Sequence, residues 1–82
     1  MKGVQAYVLM DIEIGKTDDV VDALRRIDEA TMIAVTTGGV DIVVLLEVPT
    51  LEDLYKITVQ RIHRIEGIRD TQTAVVEQMI SV

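Results

Sequence analysis

The residues of this sequence best suited to chemistry are Gly38, Gly39 and Asp41, in the stretch Thr37-Gly38-Gly39-Val40-Asp41. Adjacent glycines expose backbone N–H groups with no side chain in the way, and they adopt positive φ without steric cost. Such amides suit a carboxylate, and the neighbouring Asp41 suits an ammonium, so together they can hold a small zwitterion. Thr71 and Thr73, two apart in a later alternating stretch, project to one side of a strand and can add hydroxyls. The plain alternative is a hairpin turn with a solvent-facing Asp41, and edge-strand threonines that meet no ligand. Both readings stand at the level of these residues.

Elsewhere the sequence offers little for catalysis. Its single histidine, His63, falls by helical spacing on a polar face with Glu52 and Lys56. Alone, it lacks the second strong ligand that a metal site needs. Asp18/Asp19 and Glu52/Asp53 stand where helices start, the position a helix dipole favours for anions. Arg61, Arg64 and Arg69 read as a solvated helix end, and Ser81 has no base near it in sequence. Gly38-Gly39 is too short for a phosphate loop. No catalytic residue, metal or cofactor is expected.

The elements that must position the turn follow from periodicity. Gly3 to Glu13 alternates Val4, Ala6, Val8, Met10 and Ile12 against Gln5, Tyr7, Leu9 and Asp11, which predicts a strand. Thr17 is an expected N-cap for a helix over residues 18–29, with Val20, Leu24 and Ile27 on its apolar stripe. Strands are expected over 30–37 and 42–48, on either side of the two glycines, and Pro49 ends the second of them. Thr50 caps a second helix, with Leu51, Leu54, Tyr55, Thr58, Ile62 and Ile65 as its buried stripe and Ile57 off it; Gly67 is its stop. Residues 68–80 alternate again.

The order is β-α-β-β-α-β. Right-handed crossovers give an α+β, ferredoxin-like fold: a four-stranded antiparallel sheet, order 4-1-3-2, with both helices on one face. The first and third strands are apolar on both faces and belong in the centre. The second sheet face then has no helix to cover it.

Composition agrees. At 82 residues the chain is one domain, 49% hydrophobic with a mean hydropathy of +0.32. A domain this small buries only about 60% of its unfolded surface. Its surplus of aliphatic surface predicts self-association, with a second subunit's sheet as the natural cover. The net charge of −6 argues against a nucleic-acid surface, which is usually basic. The absence of cysteine excludes a disulfide framework. No charged-then-apolar leader opens the chain, so neither a signal peptide nor a membrane partner is expected, and the cytoplasm is the expected location.

Two motifs carry a resemblance. The turn Thr37 to Asp41 reads T-G-x-x-D, and Ile65 to Val76 ends in a T-x-T-x-x-V strand from Thr71. In this order, on this element pattern, they resemble the effector-binding (RAM) domain of the Lrp/AsnC transcription regulators over essentially the whole chain. Glu66-Gly67 stands where that family typically has proline-glycine. The resemblance implies a sheet-paired homodimer, assembly into larger rings such as octamers, and amino-acid effectors bound between dimers. Carried over by position, Gly38, Gly39 and Asp41 line the site, with Thr71 and Thr73 as further candidates. Full-length members add an N-terminal helix-turn-helix. None is read in these residues, so the expectation is a single effector-binding and oligomerisation domain over 1–82. Such a domain senses an amino acid and acts on full-length regulators by mixed assembly. A small dimeric α/β-barrel enzyme and a ligand-free oligomerisation module are the alternatives.

Overall fold

The computed structural model describes residues 3–82. Four strands and two helices follow in the expected order: β1 (Val4–Ile12), α1 (Thr17–Leu24), β2 (Ala30–Val35), β3 (Ile42–Val48), α2 (Leu51–Gln60), a 3₁₀ turn (Ile62–Arg64) and β4 (Ile68–Val75). They form one antiparallel sheet ordered β2-β3-β1-β4. This is the expected order, with β1 and β3 in the centre.

Alternation decides which face is buried. Ala6, Val8 and Met10 of β1 pair with Leu46, Val44 and Ile42 of β3. All six are fully buried, in one core with Val20, Leu24, Leu54, Ile57 and Ile62 from the helical layer. A one-residue slip would turn this set to the other face, so the pattern fixes the register. The opposite face carries Tyr7 against Leu45 and Leu9 against Val43. Met32 and Ala34 extend it on one side, Ala74 and Gln72 on the other. No helix lies over it, and the molecule is a slab of 39 × 31 × 18 Å.

Several boundaries differ from the sequence expectation, each for a local reason. Thr17 is the first residue of α1, not its cap; Lys16 holds that position without a side-chain bond. The helix ends at Leu24 rather than near residue 29. Arg26 and Ile27 instead donate to the carbonyls three residues back, at 3.2 and 3.0 Å, tightening the chain so that Ala30 can join the sheet. In α2 the cap is as expected: Asp53 N donates to Thr50 Oγ1 at 3.1 Å, and that hydroxyl donates to Asp53 Oδ2 at 2.9 Å. Its buried stripe is rotated, however. Ile57 is 7% exposed, whereas Leu51 and Tyr55 are 60% and 66% exposed. Thr58 can be buried because its hydroxyl donates to the Leu54 and Tyr55 carbonyls, both at 3.0 Å.

β4 ends at Val75, close to the start of β1. Val75 faces Ala6 and Val76 N still bonds Gln5 O at 2.8 Å, but β1 itself begins at Val4. Gly67 lies seven residues beyond the end of α2, so it does not stop that helix. With φ of +101° it turns the chain into β4, and its carbonyl accepts from Glu13 N at 2.7 Å. A Cβ there would come within 2.8 Å of the Lys16 Cβ.

Candidate functional site

The turn between β2 and β3 is built by its own polar groups. Thr36 N donates to Asp41 O at 2.9 Å, and Thr36 Oγ1 donates to Val40 O at 2.6 Å. Gly38 sits at φ +110°, which is why a glycine is needed there; the space around it is open. Among the described residues, the N–H groups of Gly38, Gly39 and Val40 donate to no protein acceptor. They are available to an anion.

Asp41 joins this turn to β1. Its N–H donates to Met10 O at 2.9 Å, and its Oδ2 accepts from Ile12 N at 2.8 Å. The second bond falls at a bulge. The β1–β4 register shifts between Asp11 and Ile12, which face Asp70 and Ile68, so Arg69 is the extra residue.

Beside the turn is a depression of about 160 Å³, lined by Leu9, Asp11, Gly39, Val40, Asp70, Thr71 and Gln72. Asp11 and Asp70 are direct cross-strand partners, so both carboxylates stand on the uncovered face. Like charges directly opposite destabilise a sheet, and a bound cation would relieve that repulsion. Asp70 Oδ1 also accepts from Thr71 N at 3.0 Å.

Of the five residues expected from sequence, the structure brings Gly39 and Thr71 to this depression. Gly38 and Asp41 belong to the same turn but do not line it, and neither does Thr73. Thr71 and Thr73 pair with the buried Met10 and Val8, so their hydroxyls face the helical layer rather than the open face. Thr71 Oγ1 lies 3.2 Å from His63 Nε2. The histidine is therefore tied to β4 from the 3₁₀ turn, rather than standing with Glu52 and Lys56. Asp11 and Asp70 escaped the sequence reading. Alternation put Asp11 on the open face, but only the β1–β4 register sets it against Asp70.

A larger groove, about 900 Å³, opens at the other end of the sheet, where the C-terminal segment leaves β4 past Gln5, Glu47 and Met79. Its polar side chains partly satisfy one another, Gln5 Nε2 donating to Glu47 Oε2 at 3.0 Å. The depression is smaller but is lined by Gly39 and Val40, whose amides are free, and by the paired Asp11 and Asp70. Among the described residues, no group of three or more His, Cys, Asp or Glu could hold a metal ion. Nor, among the described residues, is any helix long and apolar enough to cross a membrane.

Fold and site thus define a ferredoxin-like domain with one bare sheet face and a small polar depression at its rim. Residues 5–81 match the family model described as the Lrp/AsnC ligand binding domain, and the chain belongs to that family. An uncharacterised HTH-type transcriptional regulator of Pyrococcus abyssi is 30% identical over 70 residues, which cover 85% of this chain and 44% of the relative. The chain therefore spans less than half the length of that curated relative. The crystal structure of FFRP-DM1 superposes with a TM-score of 0.86 at 30% identity, covering 89% of this chain and 97% of that one. The fold is also shared with the transcriptional regulator NMB0573 of Neisseria meningitidis, solved as an L-Met complex. There the TM-score is 0.89 at 20% identity, over 98% of this chain and 53% of that one.

Proposed function

We propose that this domain is a non-enzymatic, cytoplasmic sensor of a free amino acid, active as a homo-oligomer that acts on transcription regulators of its family. The observation that carries the reading is the pairing of opposite requirements at one depression. Gly39 and Val40, whose N–H groups meet no protein acceptor among the described residues, line it together with the cross-strand carboxylates Asp11 and Asp70. A zwitterionic amino acid matches both: its carboxylate meets the amides and its ammonium meets the paired aspartates. NMB0573, a fold neighbour, was solved with L-Met bound, which supports an amino acid as the ligand class.

The depression, at about 160 Å³, is smaller than the ~300 Å³ at which small-molecule pockets usually begin. In this reading a second copy completes it. The accessible surface of 5841 Å² supports assembly, since roughly 4,900 Å² is expected of a compact monomer of this mass. The excess is close to the ~800 Å² that one partner contributes to a standard interface. The bare face with Tyr7, Leu9, Val43 and Leu45 is the surface to be covered. Face-to-face dimers joined into rings such as octamers, with the effector between dimers, meet both requirements. Mixed assembly with full-length regulators would carry the signal, as this domain's acidic surface is ill suited to DNA.

Calorimetric titration of the oligomer, its size verified, with each of the twenty amino acids tests the reading. At least one should bind; silence from all twenty removes the sensing function. Native mass spectrometry of a mixture with a full-length relative, with and without that amino acid, tests mixed assembly.

A further inference from the structure

We infer that Asp41 is a positioning residue: its carboxylate fastens the turn to β1 rather than meeting the ligand. The inference rests on the amino-acid reading above and assigns a role within that site. Asp41 Oδ2 accepts from Ile12 N at 2.8 Å, while its own N–H donates to Met10 O at 2.9 Å. Met10 and Ile42 are the last direct pair of the β1–β3 ladder. Asp41 extends that seam by one backbone bond and one side-chain bond. The Ile12 N–H it satisfies is at the bulge, where β1 and β4 lose register, so a backbone donor there needs an acceptor from elsewhere.

The consequence reaches the depression through the turn. Asp41 lies outside the lining, whereas Gly39, Val40 and Asp11, the last next to Ile12, all belong to it. The carboxylate therefore fixes the spacing between the Gly39–Val40 turn and Asp11 on β1. A ligand spanning the two would sense Asp41 only through that spacing.

Asparagine separates the two roles, because it keeps an oxygen of the same reach for the Ile12 N–H and loses the charge. In ligand-free protein, amide exchange at Ile12 should rise about tenfold or more in Asp41→Ala and stay within about threefold of wild type in Asp41→Asn. Amino-acid affinity should follow the same order: about a tenfold loss in Asp41→Ala and near-retention in Asp41→Asn. Asp11→Asn should do the reverse, losing about tenfold in affinity with Ile12 exchange unchanged. If Asp41→Asn loses as much affinity as Asp41→Ala while Ile12 stays protected, the charge meets the ligand and the inference is overturned. Unchanged Ile12 exchange in Asp41→Ala overturns it as well. If the intact wild-type oligomer binds no amino acid, the underlying reading falls and takes this inference with it. That outcome is distinguishable because it appears in the wild type.

Discussion

At the scale of single residues, two glycines with positive φ have different reasons to be glycine. At Gly38 only the backbone angle matters, because a Cβ would meet nothing within 4 Å. At Gly67 the angle is joined by contact: a Cβ would lie 2.8 Å from the Lys16 Cβ and 3.1 Å from Val20 Cγ2. Neither neighbour can swing aside, since one is fixed to the backbone and the other is in the core. Gly38→Ala should therefore cost about 1 kcal/mol and Gly67→Ala about 2–4 kcal/mol, read from urea midpoints of the two variants. Gly38 was visible in the sequence as a turn former, whereas Gly67 was read as a helix stop and instead turns the chain into β4. The approach of Lys16 to Gly67 was not visible, because it joins the exit of β1 to the start of β4, and no local pattern reports that contact. The same limit hid the partnership of Asp11 with Asp70, and the bond from Ile12 to Asp41 depends on a bulge that alternation does not announce.

At the scale of elements, strands were more legible than helices. A period of two leaves only two possible faces, so reading Val4, Ala6, Val8, Met10 and Ile12 as one set required no angle to be guessed. A helix can rotate continuously, and the expected stripe, right at Leu54, Thr58 and Ile62, took in the exposed Leu51 and Tyr55 and left out the buried Ile57. The early end of α2 explains the error. Ile62 reaches the core from the 3₁₀ turn, after the backbone departs from helical angles at Arg61, so it could not serve as a helical landmark. Ile57→Ala should cost about 2–4 kcal/mol in thermal or urea unfolding. Tyr55→Ala should stay within about 0.5 kcal/mol. A large cost at Tyr55 would mean that assembly covers the outer side of α2. Ends were the least legible feature: α1 and β4 both stop earlier than their patterns, α1 because the chain must turn into β2 and β4 within two residues of the start of β1.

For the molecule as a whole, one layer of helices on one side of a sheet leaves the other side to be explained. Leu45 is 7% exposed on that side with no helix above it, sheltered between neighbours such as Tyr7 and Met32 on adjacent strands. Val43, opposite Leu9, is half-buried and lies outside the depression. A charge placed there should be tolerated by the fold and rejected by a sheet-to-sheet interface. Val43→Glu should convert the oligomer to monomers by analytical ultracentrifugation, with the circular dichroism spectrum retained. An unchanged sedimentation coefficient would place the interface elsewhere. Sequence composition anticipated a surplus of apolar surface, and the bare face now gives that surplus a location. Dimerisation through this face would leave the turn at the sheet's end within reach of a neighbouring dimer, where a half-formed site can be completed.

The most direct test of the sensing function is a crystal structure of the oligomer grown with the amino acid that calorimetry selects. The ligand carboxylate should lie on the Gly38–Val40 amides and its ammonium between Asp11 and Asp70, with a second copy closing the depression. An oligomer whose depression stays empty, or whose ligand sits instead in the groove beside Glu47 and Met79, would contradict that placement.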